Sequence, residues 1–214
     1  MRASIIYWRI ERRDIPWAVL RMGLDRRILR KSGLHFWKLL GTGSGETFTI
    51  NDANPYRWGL LMVGEQFPSL EHWNRRSVAR KEFELQPISV NGLWAGVNPF
   101  QKMPSIDGKN WNGKVAAITR ARIKWRHNRT FWRSVPPVNL ALHSAPGLEQ
   151  AIGIGEAPVG LQGTFSIWNS PQAIRDFAYR SPAHQEAIAA THRIGWYSEE
   201  MFSRFAVIKE SGDW

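Results

Sequence analysis

The chain has 214 residues, a formal net charge of +11 and no cysteine. Its length fits one large domain or two small ones, and its 43% hydrophobic content is ordinary for a globular protein. Without cysteine there can be no disulfide, cysteine nucleophile, cysteine zinc site, all-cysteine iron–sulfur cluster or thiolate-ligated haem. No apolar run approaches the roughly 18 residues that span a bilayer, and no secretory signal is evident. We therefore expect a cytoplasmic location.

The first part of the chain predicts the order β-α-β-β-α-β. Apolar, β-branched-rich segments predict strands at residues 4–10, 34–40, 56–64 and 88–97. Start signals and apolar spacing predict helices at residues 16–30, 68–76 and 78–85. Asp14 is the expected cap of the first helix, and Gly33 is expected to end it.

Residues 98–113 are rich in Pro, Gly, Asn and Lys and predict a linker. The order then starts again, with strands predicted at residues 114–123, 148–155, 161–168 and 201–208. Helices are predicted at residues 125–134, 171–178 and 183–193. Pro136 and Pro137 are expected to stop the first of these, and Ser170 is expected to cap the second.

The two parts also match in sequence at a constant spacing of 104 positions. The matched residues are Leu70, Trp73, Arg76, Ser77 and Glu82 against Ile174, Phe177, Arg180, Ser181 and Glu186. Such self-similarity indicates an internal duplication. We predict an α+β fold of tandem ferredoxin-like repeats (1–97 and 114–214, joined by linker 98–113) that pair into a dimeric-type α+β barrel. Two independent small domains are the alternative.

Motif searches exclude several chemistries. The glycine loop at residues 41–45 and the pair Gly153 and Gly155 fail the G-x-G-x-x-G and G-K-[ST] patterns, so both predict turns. Neither HExxH nor G-x-S-x-G occurs, so the sequence gives no support to a zinc protease or a serine hydrolase. His184 and His192 lie about 13 Å apart along one predicted helix, too far to share a metal.

Aromatic and basic residues each leave two interpretations open. Tryptophans in predicted strands, Trp168 among them, pack a core by default, but a Trp- and Phe-lined sheet would also suit a flat apolar cofactor. Arginines interleaved with aromatics over residues 120–133 resemble a single-strand nucleic-acid surface. No RNP, KH or helix-turn-helix signature accompanies them, so we expect a solvated or membrane-facing helix there and no nucleic acid.

Several stretches together resemble the spheroidene monooxygenase family of acyclic carotenoid ketolases. They are residues 36–39 with 41–46 and 48–49, 119–121, 131–133 with 135–136, 152–156 with 158, 164–168, 195–196, 200 and 204–205. The most specific are IGIGE-P at residues 152–158 and TFSIW at residues 164–168. The resemblance covers nearly the whole chain.

The resemblance implies a monooxygenase that contains haem b and uses O2 with electrons from reduced ferredoxin or a similar acidic donor. It implies an apolar, carotenoid-like substrate. His184 matches a family histidine, so the resemblance makes it the candidate axial ligand of the iron. Peripheral membrane association and an oligomer stay open, and the positive charge suits an acidic protein or an anionic membrane.

We expect haem in an apolar cleft of the second repeat, between sheet and helices. Phe165, Trp168 and Phe177 are the candidate residues that bind it beside His184. Candidate catalytic residues, expected to donate hydrogen bonds on the open side of the haem, are Arg120, Arg122 and Ser166. Lys38, Glu46 and Glu156 are polar motif residues without an assigned role. The alternatives are haem chemistry of a dehydratase or peroxidase type, and a non-catalytic barrel that binds haem or lipid.

Overall fold

The computed structural model describes residues 1–43, 52–156 and 161–214, apart from the side chains of residues 128–130, 132–135, 161–162, 183–184, 187–188 and 192. The strands are β1 Arg2–Ile10, β2 Phe36–Gly43, β3 Ala53–Gly64, β4 Ser77–Gly92, β5 Val115–Ile123, β6 Leu148–Gly155, β7 Leu161–Trp168 and β8 Tyr197–Asp213. The helices are α1 Ile15–Lys31, α2 Glu71–Arg76, α3 Asn128–His143, α4 Pro171–Arg180 and α5 Pro182–Ile194. Of the described helices, none is long and apolar enough to cross a membrane.

The strands form one closed antiparallel barrel in the order β1-β3-β2-β6-β7-β5-β8-β4. Each half contributes four neighbouring strands in the same relative order, and two seams join the halves. At one seam β4 pairs with β8 from Arg80 opposite Asp213 to Gly92 opposite Met201. At the other, β2 pairs with β6 only over Gly41–Gly43. The predicted α+β barrel of ferredoxin-like repeats is confirmed.

Strand alternation divides the apolar residues into an interior and two outer layers. The barrel interior is filled by a cluster from both halves that includes Tyr7, Phe83 and Phe165. On the outside of the first half, α1 and α2 cover a second cluster built around Trp8 and Trp73. The helices of the second half cover a smaller third cluster. Because the interior draws on both halves, two independent small domains are excluded.

The prediction of a helix at residues 78–85 is wrong. They belong to β4, whose side chains alternate between the barrel interior, as at Phe83 and Leu85, and the outside. Burial in the shared interior outweighs helix propensity here. Glu82 therefore lies on a strand, whereas Glu186, its match 104 positions later, lies on α5. The structural equivalence of the matched residues ends with the helices α2 and α4.

Helix α3 corrects a second prediction, because it continues through Pro136 and Pro137 to His143. Each proline removes a backbone donor and normally breaks a helix. Leu142 and Ala145, which lie beyond the prolines, pack on the third apolar cluster. This tertiary packing explains why α3 continues beyond the two prolines.

The segment between the halves contacts the barrel core. Phe100 and Met103 belong to the interior cluster, and the Phe100 ring lies 4.7 Å from that of Phe205. Residues 98–113 therefore connect the repeats and also contribute side chains to the barrel core. The repeat boundaries at 97 and 114 stay a prediction.

Candidate functional site

The outer face of the second half differs from that of the first in the size of its side chains. On the first half, strands β1, β2 and β3 present large residues, among them Trp8, Leu39 and Met62. The alternation of β5, β6 and β7 places small residues at the corresponding outer positions, namely Ala117, Thr119, Ala121, Ala151, Gly153, Thr164 and Ser166. The outer face beneath the helices of the second half therefore carries mostly small side chains, with Val115 and Trp168 as larger exceptions.

A cavity of about 610 Å³ lies between α3 and α4 at this outer face. Its lining includes Ala141, Ala145, Pro146, Ala173 and Phe177 as apolar members and Asn169, Gln172, Asp176 and Arg180 as polar ones. The volume lies within the range of small-molecule and cofactor sites.

Of the predicted cofactor-binding residues, Phe177 lines this cavity and the buried Trp168 packs behind it. The Phe177 ring packs on the Trp168 ring with their centroids 5.3 Å apart. Trp168 donates from Nε1 to the Ser166 hydroxyl at 3.0 Å, which fixes the indole on the outer face. Ser170 caps α4 by accepting a hydrogen bond from the Ala173 amide at 3.2 Å, as predicted. These contacts hold an aromatic wall in place.

Helix α5 starts at the edge of the same cavity. Ser181, directly before α5, lines the cavity, and α5 packs against α3 and α4. The His184 backbone lies in the first turn of α5. The His184 side chain is outside the described residues, so its predicted role as an axial ligand stays a prediction.

The remaining predicted residues lie elsewhere on the barrel. Phe165 points to the interior, where its ring lies 5.6 Å from Tyr7 and 5.3 Å from Phe83. Arg120 is buried at the mouth of the barrel and Arg122 is exposed, whereas Ser166 faces the helices. Since neighbouring residues of a strand face opposite sides, one cleft cannot hold both Phe165 and Ser166. The structure thus brings together Ser166, Trp168, Phe177 and the helix that carries His184.

Arg120 instead organises a buried polar cluster that the sequence did not predict. Arg120 is 3% exposed, and its Nη1 donates to the Leu93 carbonyl oxygen at 3.2 Å and to the Glu199 carboxylate. Glu199 also accepts from the Gly96 amide at 2.6 Å. Each partner comes from a different part of the chain, so no local motif signals the cluster.

Glu156 extends this cluster across the short seam between the halves. It accepts a hydrogen bond from Trp94 Nε1, and its second oxygen lies 2.5 Å from Lys38 Nζ on β2. Its first oxygen lies 4.0 Å from Arg120 Nη2. Lys38 and Glu156 were motif residues without a role, and their pairing ties β2 to the end of β6. We call Lys38, Trp94, Arg120, Glu156 and Glu199 the mouth cluster.

Burial raises the pKa of Glu199, but hydrogen bonds from Arg120 and from two backbone amides outweigh burial and hold the pKa below its ordinary value. Glu199 therefore stays ionised beside Arg120. A pair of this kind is costly to break, because the remaining charge would be buried without a partner.

The described residues contain no group of three or more His, Asp or Glu that could hold a metal ion. His72 is committed elsewhere, since its Nε2 lies 2.9 Å from the buried Asp25 carboxylate on the first half. A metal held by a porphyrin needs only one protein ligand.

The fold and the cavity define a class: a single-chain α+β barrel of duplicated halves with a ligand-sized cleft on the second half. The chain is 33% identical to spheroidene monooxygenase of Rhodobacter capsulatus, covering 94% of this chain and 87% of that protein. It is 35% identical to the enzyme of that name from Rubrivivax gelatinosus, covering 87% and 73%. The chain belongs to the spheroidene monooxygenase family.

Two further comparisons bear on the family and the fold. The spheroidene monooxygenase of Cereibacter sphaeroides is 30% identical, and the match covers 89% of this chain and 63% of that longer protein. Among solved structures, an aldoxime dehydratase in complex with butyraldoxime matches 96% of this chain and 79% of its own, with a TM-score of 0.54 and 11% identity. That similarity shows the fold alone. No family model matches the chain.

Proposed function

We propose that this protein is a haem-dependent monooxygenase that oxidises an apolar, carotenoid-like substrate. The observation that carries the proposal is the family membership together with an open cavity of about 610 Å³ on the outer face of the second half. The overall reaction would place one oxygen atom of O2 in a C–H bond of the substrate and reduce the other to water with two electrons from the donor and two protons from solvent.

The residues present fit a flat apolar cofactor. Phe177 lines the cavity with Trp168 packed behind it, Ala145 and Ala173 leave room beside the Phe177 ring, and the first turn of α5, which carries His184, follows the cavity residue Ser181. His184 is the residue that would hold the iron. Haem, when bound, supplies the redox-active iron that reaction with O2 requires.

The described side chains would bind and orient rather than transfer protons. Phe177 and Ala173 would contact the apolar ligand, and the α3 and α4 backbones would keep water from its face. The Ser166 hydroxyl accepts from Trp168 and would hold that indole in place behind Phe177. Arg122 is exposed and Arg120 is engaged in the mouth cluster, so neither is retained here as a residue of the cleft.

Electrons would come from reduced ferredoxin or a similar acidic donor. The formal net charge of +11 supports an acidic partner, because complementary charge speeds encounter between redox proteins. The rate of reduction is then expected to fall as ionic strength rises.

The haem proposal is tested by reconstituting the purified protein with haemin and recording the absorbance spectrum. We expect a Soret band that shifts on reduction and on addition of CO. His184→Ala should lose or shift that band, whereas His192→Ala on the same helix should keep it. If His184→Ala and the unchanged protein give the same spectrum, the ligand assignment is wrong, and if no band forms, the cofactor assignment is wrong.

The oxygenase proposal needs a separate experiment. The reconstituted protein is supplied with a linear carotenoid, reductase, ferredoxin and isotopically labelled O2, and the product is analysed by mass spectrometry. We expect labelled oxygen in the product and none when ferredoxin is left out. Haem binding without incorporation of the label would favour the non-catalytic alternative.

A further inference from the structure

We propose that the helix layer of the second half docks on a membrane surface that carries anionic lipids. The contact would be made by the α3 surface, defined as the exposed side chains of Arg122, Trp125, Arg126, Leu140 and Tyr179. The docking itself does not depend on the reaction. Its use, delivery of an apolar substrate to the cleft, rests on the proposed function.

The first argument is the exposure of apolar side chains. Trp125 is 85%, Leu140 73% and Tyr179 68% exposed, the three highest values among the large hydrophobic residues that the structure describes. Trp125 lies in the short 3-10 turn Trp125–His127 before α3, and Leu140 lies in the last turns of α3. Tryptophan and tyrosine are enriched where protein meets the membrane interface, because their rings have an apolar body and a polar edge.

The second argument is charge. Residues 114–148, which include β5 and α3, contain seven Lys and Arg residues and no Asp or Glu. Of the seven, Lys114 and Arg120 pair with glutamates outside this segment and do not contribute to the α3 surface. Arg122 and Arg126, next to the exposed Trp125, are themselves exposed. The carboxylate of Asp176 on the cavity wall already pairs with Arg180 at 3.3 Å. Lipid phosphates complement such a surface, and each basic residue near the membrane adds to the attraction.

The third argument is position. Leu140 directly precedes Ala141, which lines the cavity from α3, and Tyr179 directly precedes Arg180, which lines it from α4. Exposed apolar side chains therefore lie on both helices that border the cavity. A molecule dissolved in lipid could reach the cavity from this side without crossing water.

A second surface, on α1, exposes four large apolar side chains, Val19, Leu20, Leu24 and Ile28, beside the exposed Arg26, Arg27 and Arg30, so position decides between the two surfaces. It covers the first half, where Trp8 and Trp73 fill the space beneath it. A second copy of this chain is the other candidate partner for the α3 surface. It would bring two sets of uncompensated cations together, which opposes association.

The test is flotation of the full chain with vesicles of phosphatidylcholine alone and of equal parts phosphatidylcholine and phosphatidylglycerol. We expect binding to the anionic vesicles that weakens as salt is added. Removing one surface cation should weaken binding about fivefold, so Arg122→Gln with Arg126→Gln should cost about 25-fold. The matched control, Lys102→Gln with Lys109→Gln, removes two exposed lysines elsewhere and should change binding little.

A second pair of variants tests how much the apolar side chains contribute to vesicle binding. Trp125→Glu with Leu140→Glu should abolish binding, whereas Leu20→Glu with Leu24→Glu on α1 should preserve it. Circular dichroism and thermal unfolding check that each variant is folded. The proposal is overturned if the unchanged protein ignores anionic vesicles, if only the α1 pair loses binding, or if the α3 variants change self-association in sedimentation and not vesicle binding.

Vesicle binding needs neither haem nor substrate, so its outcome is distinct from that of the proposed function. Binding without labelled product would contradict the oxygenase and leave the docking in place. Labelled product from detergent-dispersed substrate without vesicle binding would contradict the docking alone.

Discussion

At the scale of single residues, the mouth cluster concentrates charge where the barrel offers little water. Arg120 and Glu199 form an ion pair in which the arginine side chain is 4% and the glutamate side chain 16% exposed. Burial alone disfavours both charges, and each is stabilised by the other and by backbone groups. The pair therefore contributes to stability only while Glu199 is ionised.

Glu199→Gln is expected to destabilise the fold by about 3 kcal/mol at neutral pH, because Arg120 keeps its charge in a buried place. The measurement is urea unfolding followed by tryptophan fluorescence. Glu65→Gln, at an exposed glutamate, is the control and should change stability by less than about 0.5 kcal/mol. An equal effect of the two changes would mean that the pair is not a net source of stability.

The lowered pKa of Glu199 gives this pair a pH dependence with a definite sign. Because the folded-state pKa lies below the unfolded one, the stabilisation is present above the unfolded pKa, about 4.3, and is lost as pH falls through the folded value. The difference in stability between the unchanged protein and Glu199→Gln should therefore shrink on acidification below about pH 4.

At the scale of elements, α3 shows how packing outweighs local signals. Pro136 and Pro137 are both exposed and lie inside the helix, where neither can donate to the carbonyl four residues before it. Their rings add no buried contact that would compensate. The helix persists because its later turns pack against the third apolar cluster.

Replacing Pro136 and Pro137 by alanine is expected to stabilise the protein by about 2 kcal/mol or more. Alanine restores two helical donors, and the gain exceeds the loss of proline's restriction on the unfolded chain. Differential scanning calorimetry would show the rise in Tm. Pro104→Ala, at an exposed position outside helices and strands, is the comparison and should bring no rise. A fall in Tm for the α3 variant would show that the prolines favour a backbone shape that α3 needs.

At the scale of the whole molecule, the two seams that close the barrel differ in length. The β4–β8 seam joins twelve residue pairs, whereas the β2–β6 seam joins three. The ion pair of Lys38 and Glu156 also crosses the shorter seam. Opening the shorter seam breaks fewer ladder bonds, so it should cost less free energy.

Native-state hydrogen exchange should therefore be faster for amides of residues 41–43 and 153–155 than for those of residues 80–92. We expect a difference of about tenfold or more, because local opening of a short ladder lies well below global unfolding in free energy. The β1–β3 ladder, inside the first half, is the internal reference. Equal protection at the two seams would show that the barrel opens only as a whole.

Much of the fold could be predicted from local sequence patterns, because the tertiary structure keeps the elements that they indicate. Strand β6 at Leu148–Gly155 and strand β7 at Leu161–Trp168 have the predicted ends, and the Ser170 cap forms as predicted. Asp14 lies at the start of α1 but makes no capping bond, since its carboxylate accepts from Arg76 at 2.5 Å. A cap can be predicted from spacing, whereas a competing partner 62 residues away cannot.

The sequence by itself determined the duplicated β-α-β-β-α-β pattern, the pairing of two repeats into one barrel and the family. These follow from hydrophobic periodicity and motif order, which are properties of neighbouring residues. Only the tertiary structure decided that residues 78–85 form a strand, that Phe165 and Ser166 face opposite sides, and that Arg120 joins Glu199 and Glu156. Such facts depend on which distant strands become neighbours, because burial and ion pairing act between residues that the chain itself keeps far apart.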